Sequence, residues 1–396
     1  MRISTQSSFD SGVSTLQRRQ ADLARSQEQL TSGKRVDRPS DDPAAAARAE
    51  RALAGIGRVE TGRRAVEASR VAMEQTEGAL GDAFSLLQQV RESMVAAGNP
   101  AYADGERAGL AEKVRALRAQ LFEVANRSDG AGVYLFGGQG ATQPPFVDAP
   151  GGVQYASTTG EQRTAAGMPL TLDGRATWLA APTGNGVFET RPGAGVTQAW
   201  IGPGQVADPS AITGDDYTLQ FSVAAGATTY AVLRNGAPTA VTAAPYVSGQ
   251  AIAVDGMSVV IQGAPANGNS FDLLASSGTL SIFDSLDAAA VALDTPSQTG
   301  AQRAQANSLA LRDIDSFSGT LQTQRTAAGE ALNRVDNEVV RLEAQGLRNQ
   351  SERSSAVDLD MVQAVAEFQS RQTGYDAALK SYAMVQRLSL FDYLGR

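Results

Sequence analysis

The sequence predicts a mainly α protein with a β insert: long α-helical coiled-coil or bundle rods from both chain ends frame a small central β-rich domain. Three observations carry that reading. Apolar residues recur at heptad spacing on both flanks of the 396-residue chain. Residues 141–280 hold 11 of the 15 prolines, 19 of the 40 glycines and both tryptophans, yet only four arginines and no lysine. The overall balance, 42% hydrophobic and 19% charged, is that of a folded chain, and the length fits two or three domains.

The first rod is read from Val59, Val66, Met73, Leu80, Leu87 and Met94, with Ile56 and Phe84 in a companion seam. Asp42 is placed to cap it, and Pro43 takes the first helical position, where a missing N–H costs nothing. Gly98-Asn99-Pro100 stops it. From about residue 44 to 97 such a helix spans roughly 80 Å. Leu110, Val114, Leu117, Leu121 and Val124 predict a second helix turning back on the first. Beyond the insert, Ser281-Ile282-Phe283-Asp284 matches a capping box. Past Asp294-Thr295-Pro296, the residues Ile314, Leu321, Ala328, Val335 and Leu342 again repeat every seven, flanked by Leu311, Leu332 and Val339.

The two ends predict a further helical pair. Val13, Leu16, Gln20, Leu23, Gln27 and Leu30 form one narrow seam; Met361, Val365, Phe368, Gln372, Tyr375, Leu379 and Tyr382 form the other. Glutamine in a seam is either a tolerated polar position in a shallow helix or, on the sharper reading, selects register in an assembly at a cost in stability. Helices with one narrow stripe are marginal alone, so these are expected to rely on neighbouring subunits. The expected organisation is a terminal pair (1–40 with 355–396), a rod (41–136 with 281–354) and a β-rich outer domain (137–280).

Within the insert, Tyr217, Leu219, Phe221 and Val223 alternate on one face, and Asn235-Gly236 and Asp255-Gly256 read as hairpin turns. Val133–Phe136 reads as a strand running into the turn Gly137-Gly138-Gln139-Gly140, which lacks the Gly-Lys-Ser/Thr of a phosphate loop.

Composition narrows the chemistry. Histidine and cysteine are both absent, which removes Cys/His zinc sites, haem ligation, thiol nucleophiles, imidazole bases and disulfides. The three lysines, Lys34, Lys113 and Lys380, stand in no Ser-x-x-Lys pattern. Asp41 and Asp42 read as helix-capping carboxylates rather than an acid/base pair. A net charge of −8 opposes nucleic-acid binding, and the arginines at 18–19 and 63–64 are interleaved with acids, as on a solvated or salt-bridged helix face. No stretch of eighteen apolar residues occurs and Met1–Asp10 has no apolar run, so neither a membrane span nor a Sec-type signal is expected. The expectation is a non-enzyme with no cofactor and no metal.

Residues Leu30 to Ala47 read LTSGKRVDRPSDDPAAAA, after the Leu16, Leu23, Leu30 stripe. This resembles the amino-terminal signature of the flagellin family, and the MRIST start with Asp41-Asp42-Pro43 resembles its hook-associated branch. Tyr134 to Gly138 (YLFGG), Asp358-Leu359-Asp360, Gln372, Tyr375 to Leu379 and Leu388 to Leu394 (LSLFDYL) are similar to that branch as well, as are DGMSVVIQG (255–263) and GNSFDLLA (268–275), where Asn269 replaces a frequent Asp. The resemblance implies a structural subunit at the junction of hook and filament, exported without a Sec signal through the flagellar type III apparatus, with an export chaperone, and extracellular. It further implies a hook-associated protein on the hook side, flagellin on the filament side and like subunits in a ring. The expected assembly interface is Leu16, Leu23, Leu30, Val365, Phe368, Tyr375, Leu379, Leu388 and Phe391. The alternatives are filament flagellin, a filament-borne enzyme and a coiled-coil scaffold unrelated to flagella.

Overall fold

A computed structural model describes the backbone of residues 5–130 and 132–394 and the side chains of residues 10–130 and 132–384. In chain order come helices α1 (Thr5–Ser32), α2 (Pro43–Ala97) and α3 (Asp104–Ala125), then strands β1 (Phe146–Ala149) and β2 (Gly152–Tyr155), the short helix α4 (Gly174–Trp178) and strand β3 (Ala181–Pro182). Strands β4 (Phe188–Pro192), β5 (Ala199–Ile201), β6 (Gln205–Val206), β7 (Tyr217–Ala224), β8 (Ala227–Arg234), β9 (Ala237–Pro238) and β10 (Ala244–Pro245) follow. The series ends with β11 (Ala251–Val254), β12 (Met257–Gly263), β13 (Ser270–Ala275), β14 (Gly278–Leu280) and helices α5 (Ile282–Asp294), α6 (Gly300–Val357) and α7 (Met361–Leu394). Contacts divide the chain into two units, Met1–Arg64 with Glu338–Arg396, and Ala65–Asn337. Helix breaks fall at 33–42 and 358–360, and the contact division falls further in, within α2 and α6.

In the 65–337 unit the heptad residues do what their spacing predicts. Val66, Met73, Leu80, Leu87 and Met94 of α2 and Ile314, Leu321, Ala328 and Val335 of α6 are all at most 1% exposed, each of these side chains larger than alanine contributing about 1.5–3 kcal/mol. Val114, Leu117, Leu121 and Val124 of α3 and Leu286 and Ala290 of α5 share one core with Leu80, Leu87, Met94, Ile314 and Leu321. Ion pairs flank the α2–α6 seam: Arg70 with Asp336 at 2.7 Å, Arg91 with Asp315 at 2.9 Å, and Glu77 with Arg325. The caps are as expected, with Ser281 Oγ accepting from Asp284 N at 3.3 Å and α2 ending one residue before Gly98-Asn99-Pro100.

The 137–280 span, read from sequence as a single β-rich region, is two things. Its first part shares the helical core: Phe146, Val153, Leu172 and Trp178, with Leu135 and Phe136 just before it, are buried with α2, α3, α5 and α6. There Trp178 stacks on Phe283 (centroids 6.0 Å apart) and meets Phe136 edge-on at 5.3 Å. Val133–Phe136 is accordingly not a strand, which corrects the sequence reading; Tyr134 makes one isolated bridge to Ser128, and the chain turns at once through Gly138, whose φ is +61°. A Cβ there would lie 2.0 Å from Thr158 O, so the close approach requires glycine.

From β4 to β13 the chain builds a module with its own core. One six-stranded sheet runs β10-β8-β7-β13-β4 with β9 also on β8; a four-stranded sheet runs β11-β12-β5 with β6 also on β12. Phe188, Tyr217, Leu219, Phe221, Ile261, Phe271 and Leu273 fill the space within. Val223 departs from the predicted alternation, being 39% exposed at the hairpin end of β7. Asn235-Gly236 and Asp255-Gly256 do turn hairpins, Arg234 pairing with Ala237 and Val254 with Met257, all four turn residues at positive φ. A third such turn, Ala225-Gly226, has φ +50° at an alanine, which sequence reasoning had no cause to expect.

Candidate assembly interface

In the unit formed by the two chain ends, α1 stops at Gly33, whose φ of +66° and N–H bond to Gln29 O (2.9 Å) make a left-handed helix end. The connection to α2 then pairs with the break between α6 and α7. Arg35 N donates to Val357 O at 2.7 Å, Leu359 N donates to Gly33 O at 3.0 Å, and Lys34 and Asp358 face each other as an antiparallel bridge. The Arg35 guanidinium donates to Ala356 O at 2.7 Å, satisfying a carbonyl at the end of α6, and to Asp42 at 3.3 Å.

Asp42 caps α2 as the sequence suggests, whereas Asp41 closes the turn at Asp37-Arg38 before it. Asp41 Oδ2 accepts from Arg38 N at 2.9 Å, and Asp42 Oδ1 accepts from Ala45 N at 3.0 Å as the cap of α2. The Ala45 N–H, with Arg35 beside it, holds the Asp42 carboxyl below the ordinary carboxylate range. Asp360 caps α7 in the same manner, accepting from Val362 N and Gln363 N at 3.0 and 3.1 Å. Further along, α2 and α6 approach through small residues: a Cβ on Gly55 would lie 2.6 Å from Asn349 Nδ2, and one on Gly62 3.2 Å from Leu342.

Helices α1 and α7 run antiparallel, with Gly12 against the Tyr382 ring, Arg19 Nη1 donating to Gly374 O at 2.9 Å, and Arg371 Nη1 donating to Ser26 Oγ at 2.7 Å. Ser26 is buried, and its hydroxyl in turn donates to Asp22 O at 3.0 Å. Register within the pair is thus held by arginines. Gln20, Gln27 and Gln372 are exposed, so the register role read for them is not exercised between α1 and α7. Arg19 was read as part of a solvated face; an arginine reaching a carbonyl on a helix 355 residues away leaves no mark in sequence spacing.

Of the apolar residues expected to form an interface, Leu16, Leu23 and Leu30 of α1 and Phe368 and Tyr375 of α7 are half-buried. Val365 and Leu379 are 42% and 41% exposed. The side chains of Leu388 and Phe391 lie outside the described residues. Met361, Val362 and Met384, which the sequence reading did not choose, stand out more strongly, Val362 at 84% exposed. Among the described residues of α1 no apolar side chain is fully buried, and in α7 only Ala364 is. Among the described residues no acidic cluster is arranged to hold a metal ion, and no helix is long and apolar enough to cross a membrane. What this surface offers is unburied apolar area along a paired antiparallel scaffold, suited to packing against other helices.

The resemblance to the flagellin family, in its hook-associated protein 3 branch, holds on comparison with known proteins. The family of the bacterial flagellin N-terminal helical region matches residues 3–141, and that of the D2-like domain of flagellar hook-associated protein 1 matches residues 196–275, within the β4–β13 module. Flagellar hook-associated protein 3 of Salmonella typhimurium is 33% identical over 193 residues, 48% of this chain and 57% of that protein. The chain thus matches a little over half the length of that curated relative. The crystal structure of FlgL from Xanthomonas campestris (space group C2) superposes with a TM-score of 0.68 at 28% identity, covering 77% of this chain and 99% of that one. The flagellar junction protein FlgL from Legionella pneumophila gives 0.66 at 26% identity, over 71% of this chain and 97% of its own. The mainly α fold with a central β-rich part is that of these structures.

Proposed function

We propose that this protein is a structural, non-enzymatic subunit of the bacterial flagellum, forming the junction between hook and filament and polymerising through α1 and α7. The observation that carries the reading is the paired terminal scaffold, whose apolar side chains a single copy leaves half covered, Val365 and Leu379 among them. Like subunits in a ring, a hook-associated protein on one side and flagellin on the other supply the missing cover, and Leu16, Leu23, Leu30, Val365, Phe368, Tyr375, Leu379, Leu388 and Phe391 form the contact. Similarity to hook-associated protein 3 supports this placement over filament flagellin. Export without a Sec signal and an accompanying chaperone complete the proposal. Electron microscopy of a deletion strain tests it: hooks without filaments and flagellin released into the medium, both reversed by the intact gene, are expected. Normal filaments in that strain would sink it.

A further inference from the structure

The two sheets of the β4–β13 module end in open edges that lie together. Strand β4 pairs only with β13 and β5 only with β12, and Thr190 Oγ1 donates to Gly202 O at 2.9 Å across them. In each edge strand the ladder uses alternate residues: Gly202 N donates to Val260 O, and Gly193 N to Ser270 O. The intervening residues, Ile201 and Thr190, therefore turn their backbone groups away from any strand. Both are fully buried, at 0% exposure, so water does not satisfy those groups, and a buried unpaired N–H or C=O is costly.

Side chains of α6 meet both groups of Ile201 and the carbonyl of Thr190. Gln305, itself 7% exposed, accepts from Ile201 N through Oε1 at 2.8 Å and donates to Ile201 O through Nε2 at 3.2 Å. That is the two-bond pattern a neighbouring strand residue would supply, delivered by a side-chain amide. One heptad on, Arg312 Nη1 donates to Thr190 O at 3.0 Å, and at the cap Thr299 Oγ1 donates to Thr197 O. The opposite edge of the six-stranded sheet is short and carries Pro238 in β9 and Pro245 in β10, residues that end strand pairing.

We propose that α6 serves the β module as a surrogate strand, with Gln305 and Arg312 closing the free edges of β5 and β4. On this view the module is fixed against the helices by backbone-directed contacts, rather than tethered through its connections, and its edges are closed to strand addition by another chain.

Residue-resolved hydrogen exchange on the full chain tests it. In the parent protein the Ile201 amide is expected to exchange within tenfold of the ladder-bonded Gly202 amide. In Gln305→Met, of similar length and without the amide, Ile201 should exchange at least tenfold faster while Gly202 and the α5 amides keep their parent rates. An unchanged Ile201 rate in that variant overturns the proposal. So does a parent Ile201 amide that exchanges as fast as an unstructured one, a measurement needing no variant to fold.

Discussion

Helix α2 and helix α7 are written in the same heptad idiom and meet different fates. From Val66 to Met94 every seventh residue of α2 is at most 1% exposed: α3, α5 and α6 share a core with Leu80, Leu87 and Met94, and Met73 packs against Ala331 and Leu332 of α6. In α7 the same spacing leaves Val365 and Leu379 about two-fifths exposed, because α1 covers it from one side only, and α1 itself contributes half-buried leucines. Periodicity thus states that a helix has an apolar face; the number of elements around that face decides whether the chain alone can bury it. Ordering a residue costs about 1–2 kcal/mol of backbone entropy, which a core seam offsets and a single narrow seam hardly does.

The comparison can be broken most severely in the core. Trp178→Ala, which empties the stack on Phe283, is expected to cost about 3–5 kcal/mol, read as a lower midpoint in urea with an unchanged slope. Leu87→Ala should cost about 2–5 kcal/mol by the same measurement. Loss of the α5 cap in Ser281→Ala is expected to cost about 1 kcal/mol, visible as a small shift in Tm. At the other extreme, Leu379→Asp should change the stability of the free subunit by no more than about 0.5 kcal/mol and, under the proposed function, abolish co-assembly in a pull-down or filament assay, since a carboxylate would be buried without a partner. Hydrogen exchange on the free subunit sharpens the contrast: α1 and α7 should exchange faster than α2 from Ala65 to Ala97, and equal protection would remove the basis for it.

The smallest expected effect concerns pH. Asp313 of α6 bonds Arg312 and Ser285 and lies near Glu189, and burial raises its pKa above the ordinary carboxylate value. The folded chain therefore holds that proton more tightly than the unfolded chain, so this group adds stability as pH falls toward the ordinary value of 3.8 and withdraws it as pH rises through the folded value. Asp313→Asn should flatten the stability profile above the ordinary carboxylate value of 3.8, measured as urea midpoints across a pH series. An unaltered slope would show that the Arg312 contact outweighs burial.

How much of this was legible depended on whether a signal repeats. The rods were, since Leu80, Leu87, Ile314 and Leu321 recur in register, and so were the caps at Asp42 and Ser281, where residue type and position coincide. Two of the hairpins were legible through Asn235-Gly236 and Asp255-Gly256; the Ala225-Gly226 turn was not, because alanine seldom takes positive φ. The stretch from Leu135 to Trp178 carries no period, and its large side chains lie among turns, so nothing in it announced that it would complete the helical core. At the candidate interface the apolar stripes were readable, while the pairing through Arg19 and Arg371 was not: long side chains that seek a carbonyl or a hydroxyl leave no fixed spacing behind.

The antiparallel pairing of α1 with α7 also orders events in time. Residues 65–337 contain all the partners of their own unit, so that unit can close while the chain is still emerging, as continuous segments generally do. Helix α1 has no such recourse. Its contacts at Gly12, Arg19 and Ser26 lie on residues 371–382, and contacts of such separation form slowly even though the closure cost rises only with the logarithm of the loop. Helix α1, made long before residues 371–382, is thus paired late, and until then its leucine stripe is open to whatever helix reaches it first.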